Sequence, residues 1–293
     1  MTHGDRVKKW PTIPTPYLLT APALPVFVCF LLVPLAATVL LSFYSWDQYK
    51  GIIETITAKN WIEIASDGYF AEILWRTLRI AGATTLLCLV FGVPEAYILS
   101  KMRPLWRGIF LLVVLGPLLI SVVARTLGWA LLLGSTGILN KALVRWGLID
   151  SPLPFMFTEL GVIVALTHVL MPYMILSVWA SLQRLDQQVE NAALSLGAAP
   201  VTVLARVVLP QIVPGILSGA VVVFAMAASA FATPAIIGGR RLKVASTLAY
   251  DEFLNTLNWP LGATVAVILL VTLLVIVLTT NRLIERRYVE ILK

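Results

Sequence analysis

The sequence predicts an all-α, polytopic membrane protein with six transmembrane helices. Of its 293 residues, 59% are hydrophobic and only 13% are charged, and its mean hydropathy is +0.90. Soluble domains carry about 25% charged residues. The apolar residues also gather into six stretches of about 20 residues or more, the length that a helix needs to cross a hydrocarbon core of about 30 Å. A helix is the expected structure because it satisfies its own backbone hydrogen bonds in lipid.

The first three predicted spans are residues 18–43, 79–100 and 108–133. The first follows three basic residues, but it is too long for the core of a secretory signal, so we expect an uncleaved signal anchor. Spans two and three are joined by a short connection, residues 101–107, that holds three cations. Pro34, Pro94 and Pro117 fall inside these spans, where neighbouring helices can satisfy the carbonyl groups that proline leaves free. We expect kinks at these positions.

The last three predicted spans are residues 157–182, with a further kink expected at Pro172, residues 215–237 and residues 261–280. Lys and Arg set their orientation, because cytoplasmic loops carry the excess of these residues. The cations of residues 101–107 therefore place that connection in the cytoplasm, and six spans put both termini there. The predicted organisation is a cytoplasmic segment 1–17, a membrane domain 18–282 and a cytoplasmic tail 283–293.

A mixed polar segment, residues 183–214, separates spans four and five and is too long for a simple connection. Asp186 is a suitable N-cap for a short helix, and Gly197 can supply the left-handed residue that ends it. Pro200 suits the first turn of a second helix, which we expect Pro210 and Pro214 to end before span five. On the first helix Val189, Ala193 and Leu196 are predicted to share a face that fits a partner's groove.

The order Asn191-Ala192-Ala193, three residues, Gly197 and then Pro210 resembles the "EAA" coupling motif of ABC importer permeases. The family's glutamate falls at Asn191, and Glu190 comes just before it. The resemblance implies a type I importer permease fold in which this segment, the coupling segment, docks on a cytoplasmic ATPase. The implied coupling residues are Glu190, Asn191, Ala192, Ala193, Leu196, Gly197, Arg206 and Pro210.

Residues 19–24, 133–140 and 257–263 are similar to segments of the spermidine/putrescine-type permeases within that family. This resemblance implies a permease subunit in the bacterial inner membrane that passes a polyamine or related amine. An amino-acid-like compound, an opine or a phosphonate is the alternative solute, and an ion-coupled secondary transporter is the alternative class. The implied partners are an ATPase dimer holding ATP and Mg²⁺, a second permease subunit or second copy, a periplasmic solute-binding protein and the lipid bilayer.

Five ionisable residues are candidates for the translocation path, because charge inside a membrane is costly. Arg125 lies about 16 residues into span three, toward the outer side, and either contacts the solute or a gate, or snorkels or pairs locally. Glu95 either lines the inner mouth or packs at the interface. His168 is either a hydrogen-bonded core residue or a path residue, and Asp251 and Glu252 form either an electronegative entrance or a solvated surface.

Enzyme functions find no support in the sequence. It contains no Gly-x-x-x-x-Gly-Lys-Ser/Thr loop for ATP, no Gly-x-Ser-x-Gly elbow and no metal-ligand spacing. Cys29 and Cys88 both lie in apolar stretches and are expected to be packing residues. The net charge of +7 is spread between apolar blocks, which does not favour nucleic acid. We therefore expect no catalytic residue, no metal and no cofactor in this chain.

Overall fold

The structure is a computed structural model that describes the backbone of residues 23–291 and the side chains of residues 24–186 and 188–282. Within this part of the chain, six helical segments are long and apolar enough to cross a membrane, which confirms the predicted fold class. They are Leu24–Leu41, Gly68–Lys101, Val122–Arg145, Glu159–Leu182, Pro200–Ala228 and Trp259–Arg282, with a shorter apolar segment at Pro104–Leu119. Residues 18–22 of the first predicted span, and the predicted segment 1–17, lie outside the described residues.

The helices are numbered in chain order. They are α1 (Ala23–Phe27), α2 (Val33–Leu41), α3 (Lys59–Ser66), α4 (Gly68–Lys101), α5 (Pro104–Leu115), α6 (Val122–Leu133), α7 (Ile138–Arg145), α8 (Glu159–Leu182), α9 (Gln187–Ser195), α10 (Pro200–Val203), α11 (Leu209–Ala228), α12 (Ala245–Leu254) and α13 (Trp259–Ile291). Strands β1 (Ser45–Asp47) and β2 (Gly51–Ile53) form an antiparallel hairpin in which Trp46 lies opposite Ile52. We call the end of the bundle that carries this hairpin the hairpin end, and the opposite end the α9 end.

The third predicted span, residues 108–133, is wrong as one continuous helix. α5 ends at Leu115, a 3₁₀ turn covers Gly116–Leu119, and Ile120 is extended before α6 begins. Pro117 causes this break, because it has no N–H to donate and its ring clashes with the carbonyl of the preceding turn. The break separates α6, which carries Arg125, from the helix that follows the basic connection.

The fifth predicted span, residues 215–237, is also corrected. α10 continues through a π-helical turn, Leu204–Val208, into α11, so Pro210 lies in the first turn of α11 and Pro214 lies inside it. Neither proline ends a helix, since the helical residues run without a break from Pro200 to Ala228. α11 ends at Ala228, and Pro234–Gly238 forms a separate π-helical turn.

Spans two and six are longer than predicted. Asp67 caps α4, since its Oδ1 accepts a hydrogen bond from the backbone N–H of Tyr69 at 2.9 Å. The 34 residues of α4 extend for about 51 Å, well beyond a hydrocarbon core of about 30 Å. α13 runs to Ile291, so the predicted tail is helical as far as the structure describes it. The sequence underestimated both helices because their ends are polar.

The core of the bundle is α8, which packs against α4 and α11. Glycines allow close approach on both sides of it. Gly215 of α11 lies against Ser177 and Ser181 of α8, and the Ser177 hydroxyl donates a hydrogen bond to the Gly215 carbonyl at 2.9 Å. Small residues at a helix contact let two backbones come close, which is the usual packing device in membranes.

Candidate coupling and translocation sites

Helix α9 has the predicted start and stop. The Asp186 carboxylate accepts a hydrogen bond from the backbone N–H of Gln188 at 2.9 Å, and Gly197 has a φ of +82° just after the helix. A Cβ built at Gly197 would meet no heavy atom within 4 Å. Backbone conformation alone therefore accounts for glycine at this turn.

Glu190 anchors α9 to α4. Its side chain accepts a hydrogen bond from the Tyr97 hydroxyl at 3.1 Å and forms an ion pair with the Lys101 ammonium. The ammonium also lies 5.4 Å from the centre of the Tyr97 ring. The Glu190 side chain is only 10% exposed, whereas that of Lys101 is 41% exposed. We call Tyr97, Lys101 and Glu190 the α9 latch, because these residues tie α9 to the last turns of a membrane span.

The opposite side of α9 is open. Val189, Asn191, Ala192 and Leu196 are exposed, and Leu196 is 88% exposed. Ala193, which the sequence grouped with Val189 and Leu196, instead packs against the core of the bundle. Arg206 and Pro210 are exposed in the segment that leads into α11. The predicted coupling residues thus divide into an inward anchor, Glu190 with Ala193, and an outward surface.

Acids and bases at the hairpin end largely neutralise one another. Glu159 pairs with Arg79 and lies 3.6 Å from Arg76. Asp251 forms an ion pair of 2.8 Å with Lys243, and this bond raises the pKa of Lys243 above its usual range. Glu252 accepts a hydrogen bond from the Thr256 hydroxyl at 2.6 Å. These contacts give no support to the predicted electronegative entrance at Asp251 and Glu252.

Glu95 is the carboxylate inside a span that has no partner among the described residues. It lies six residues before the end of α4, which is about 9 Å inside that end. Its side chain is half-buried, and exposed Phe91 and Ile98 lie within one turn on the same helix. Glu95 can therefore offer charge to a cation at the edge of the open face of α4.

Arg125 lies in a polar cluster between α6 and α8. Its Nε and Nη1 atoms are enclosed and have no acceptor among the described residues. One turn further along α6, the Trp129 indole donates a hydrogen bond to His168 Nδ1 at 3.1 Å. His168 is exposed, so its ring is hydrogen-bonded but does not belong to the core. His168 is about 14 Å from the hairpin end of α8 and about 21 Å from its other end, so the cluster lies away from both ends of the span, at the surface of the bundle.

Sequence reasoning missed three residues of these sites. Tyr97 and Lys101 were not connected with Glu190, and Trp129 was not connected with His168. The i, i+4 spacing of Arg125 and Trp129 places them on one face of a helix and was an available signal. The latch had no comparable signal, because Glu190 is 93 positions from Tyr97 and 89 positions from Lys101 in the chain. Among the described residues, no group of three or more His, Cys, Asp or Glu gathers as a metal site.

A bundle of six spanning helices, with a short helix fastened to one end and exposed on its other side, defines a polytopic permease subunit. The family model described as "Binding-protein-dependent transport system inner membrane component" matches residues 8–290. The chain belongs to this family and is a multi-pass permease subunit of an ABC importer in the inner membrane. It is a transport subunit and not an enzyme.

Similar proteins include the spermidine/putrescine transport system permease protein PotB of Haemophilus influenzae, 31% identical over 263 residues that cover 89% of this chain and 92% of the relative. The molybdenum transport system permease protein ModB of Mycobacterium tuberculosis is 29% identical over 253 residues, which cover 86% of this chain and 87% of that relative. A bacterial ABC transporter that imports the acidic polysaccharide alginate matches with a TM-score of 0.77 at 20% identity, covering 93% of this chain and 95% of that chain. At that identity, the structural likeness shows the fold alone.

Proposed function

We propose that this permease passes a polyamine or a related amine from a periplasmic binding protein to the cytoplasm. The similarity to PotB over most of both chains is the observation that carries the proposal. Glu95, which has no partner among the described residues, supports it, because an ammonium group that leaves water needs a carboxylate, carbonyl or aromatic face in exchange. The proposed partners are an ATPase dimer that holds ATP and Mg²⁺, a second permease subunit or second copy, and the binding protein.

The α9 latch supports a mechanism for this transport. The exposed side of α9, with Val189, Asn191 and Leu196, docks on the ATPase, and ATP-driven closure of the ATPase dimer moves α9. Glu190 passes this displacement to α4 through Lys101 and Tyr97. Because α4 packs against α8, the bundle then changes between two arrangements as a unit. In this mechanism the chain itself supplies no catalytic group.

Both termini are proposed to be cytoplasmic, with the α9 end inside and the hairpin end outside. A cysteine introduced at Lys50 or Lys141, both at the hairpin end, should react with a membrane-impermeant maleimide added to intact spheroplasts. A cysteine at Arg103 should react only after permeabilisation, since the basic connection faces the cytoplasm. The measurement is the labelled fraction of each variant before and after permeabilisation. The reverse pattern would refute ATPase docking on α9.

Glu95→Gln should lower the uptake of radiolabelled spermidine or putrescine by proteoliposomes that contain the complete importer. A hydrogen bond to a charged group contributes about 1.5–3 kcal/mol, which corresponds to a loss of about tenfold to a hundredfold. Glu63→Gln is the matched control, because Glu63 is exposed on α3 outside the spans. Uptake of the amine that does not change in Glu95→Gln would remove Glu95 from the path.

An anionic solute is the second candidate, and two observations favour it. Arg125 has no acceptor among the described residues, and ModB is named for molybdenum transport. The same proteoliposomes distinguish the two. If only unlabelled polyamines compete with the uptake of labelled solute, the solute is the amine. If molybdate or a phosphonate competes with that uptake and polyamines do not, the solute is the anion.

A further inference from the structure

The polar cluster around Arg125 presents hydrogen-bond donors toward the surface of the bundle. Two guanidinium nitrogens are enclosed without an acceptor, and the third, Nη2, is neither enclosed nor bonded to a described residue. His168 Nδ1 accepts from Trp129, so the neutral ring carries its proton on Nε2. The Arg125 charge is also within electrostatic range of His168. Arg125 and His168 can therefore donate hydrogen bonds to an incoming acceptor, but neither offers a free acceptor of its own.

None of the described acids of this chain forms an ion pair or a hydrogen bond with Arg125. Glu159 pairs with Arg76 and Arg79, and Glu190 pairs with Lys101 at the α9 end. Glu95 lies on α4 near the α9 end and makes no contact with Arg125. A guanidinium within a membrane span is costly without a counter-ion, and lipid tails offer no acceptor. The described residues therefore do not supply the acceptor that Arg125 lacks.

The surface around the cluster suits a transmembrane helix of another protein. Two apolar side chains share the face of α6 that carries Arg125, because they lie three residues before it and seven residues after it. They are Val122, which is 42% exposed, and Leu132, which is 37% exposed. On α8, which is the most buried span, His168 is one of the few exposed positions. An apolar face that carries Arg125, a cation with no acid partner among the described residues, is complementary to an apolar helix that carries one carboxylate.

We propose that Arg125 and His168 bind a carboxylate side chain on a transmembrane helix of the second permease subunit. The inference rests on the proposed function, because a cationic solute cannot accept hydrogen bonds from this cluster and so leaves the acceptor to the partner. Arg125 holds the carboxylate through Nη2, and His168 adds a second donor. The pair neutralises the charge of Arg125 and fixes how α6 and α8 meet the other permease.

The test is purification of the importer through a tag on this chain, with the second permease quantified by mass spectrometry. Arg125→Gln should lower the amount of second permease per tagged chain at least tenfold, and Arg125→Lys should lower it less. Arg79→Gln is the matched control, since it also removes an arginine from a spanning helix. Its partner Glu159 is still paired in this variant, because Arg76 remains beside it. The control should keep the second permease bound.

A scan of Asp→Asn and Glu→Gln across the spans of the second permease should then find one acid whose loss gives the same defect. Combining that variant with Arg125→Gln should cause no further loss of the second permease. Exchanging the two charges, with Arg125→Glu in this chain and a basic residue in place of the partner's acid, should restore the complex. Full assembly of the Arg125→Gln complex overturns the inference, and if uptake is lost in that intact complex, the acceptor is the solute. A wild-type complex that holds a second copy of this chain and no other permease also overturns the inference. Failure of the wild-type importer to take up polyamines overturns the proposed function instead.

Discussion

Gly215→Ala should strongly destabilise the bundle, although it adds a single methyl group. A Cβ at Gly215 would lie 2.1 Å from Ser181 Oγ, 2.6 Å from Ser181 Cβ and 2.9 Å from the Ser177 carbonyl oxygen. Rotating the Ser181 hydroxyl relieves only the first contact, so α11 has to move away from α8. Overpacking of this kind costs about 1–3 kcal/mol, and separation also breaks the Ser177–Gly215 hydrogen bond. The measurement is the thermal unfolding midpoint of the purified permease in detergent.

Gly82→Ala is the matched control for this substitution. Gly82 also lies inside a spanning helix, α4, but a Cβ there would meet no heavy atom within 4 Å. Alanine favours a helix over glycine by about 1 kcal/mol, so this variant should be as stable as the wild type or more so. Equal midpoints for Gly215→Ala and Gly82→Ala would show that the close contact between α8 and α11 does not determine stability.

Glu190→Gln should uncouple transport from ATP hydrolysis. The substitution keeps an acceptor for Tyr97 but removes the ion pair with Lys101, an interaction worth about 1.5–3 kcal/mol for a hydrogen bond between charged groups. Because Lys101 is partly exposed, the lower end of that range applies. We expect the ATPase to copurify normally, since the outward face of α9 is intact, while the number of solute molecules taken up per ATP hydrolysed falls about tenfold.

The charge exchange tests this role of the latch. Lys101→Glu combined with Glu190→Lys restores the ion pair but not the hydrogen bond from Tyr97, so transport should recover in part. Arg103→Gln is the control, because Arg103 is an exposed cation two residues beyond the latch. It should leave uptake per ATP unchanged. Loss of ATPase binding in Glu190→Gln would instead place Glu190 in the docking surface, as the sequence motif first suggested.

The short segment around α9 has two separate roles, attachment to the bundle and contact with a partner. Glu190 and Ala193 hold α9 on the bundle, whereas Asn191 and Leu196 remain available to a partner. The absence of the family's glutamate at Asn191 therefore leaves the anchor intact, because the carboxylate at the preceding position turns inward. A substitution on either side should affect transport, but only the outward side should affect ATPase binding.

Local patterns determined a large part of this protein. The six apolar stretches predicted the spans, since a helix in lipid satisfies its own hydrogen bonds whatever surrounds it. Asp186 and Gly197 predicted the start and the end of α9, because capping depends on residues within one turn of each other. Pro117 predicted a disturbance in the third span for the same local reason, although not that it separates two helices.

Only the tertiary structure decided how distant residues meet. The sequence does not show how α9 is rotated about its own axis relative to α4. Neighbouring residues of a helix point about 100° apart, so this rotation decides whether Glu190 faces the bundle or the outside. Pairing between Asp251 and Lys243, which reduces the free negative charge at the predicted electronegative entrance, likewise depends on how a loop folds onto the bundle. Arg125 was recognisable from sequence as a costly charge. That no described residue offers it an acceptor is a property of three-dimensional packing, because the neighbouring acids have to be placed first.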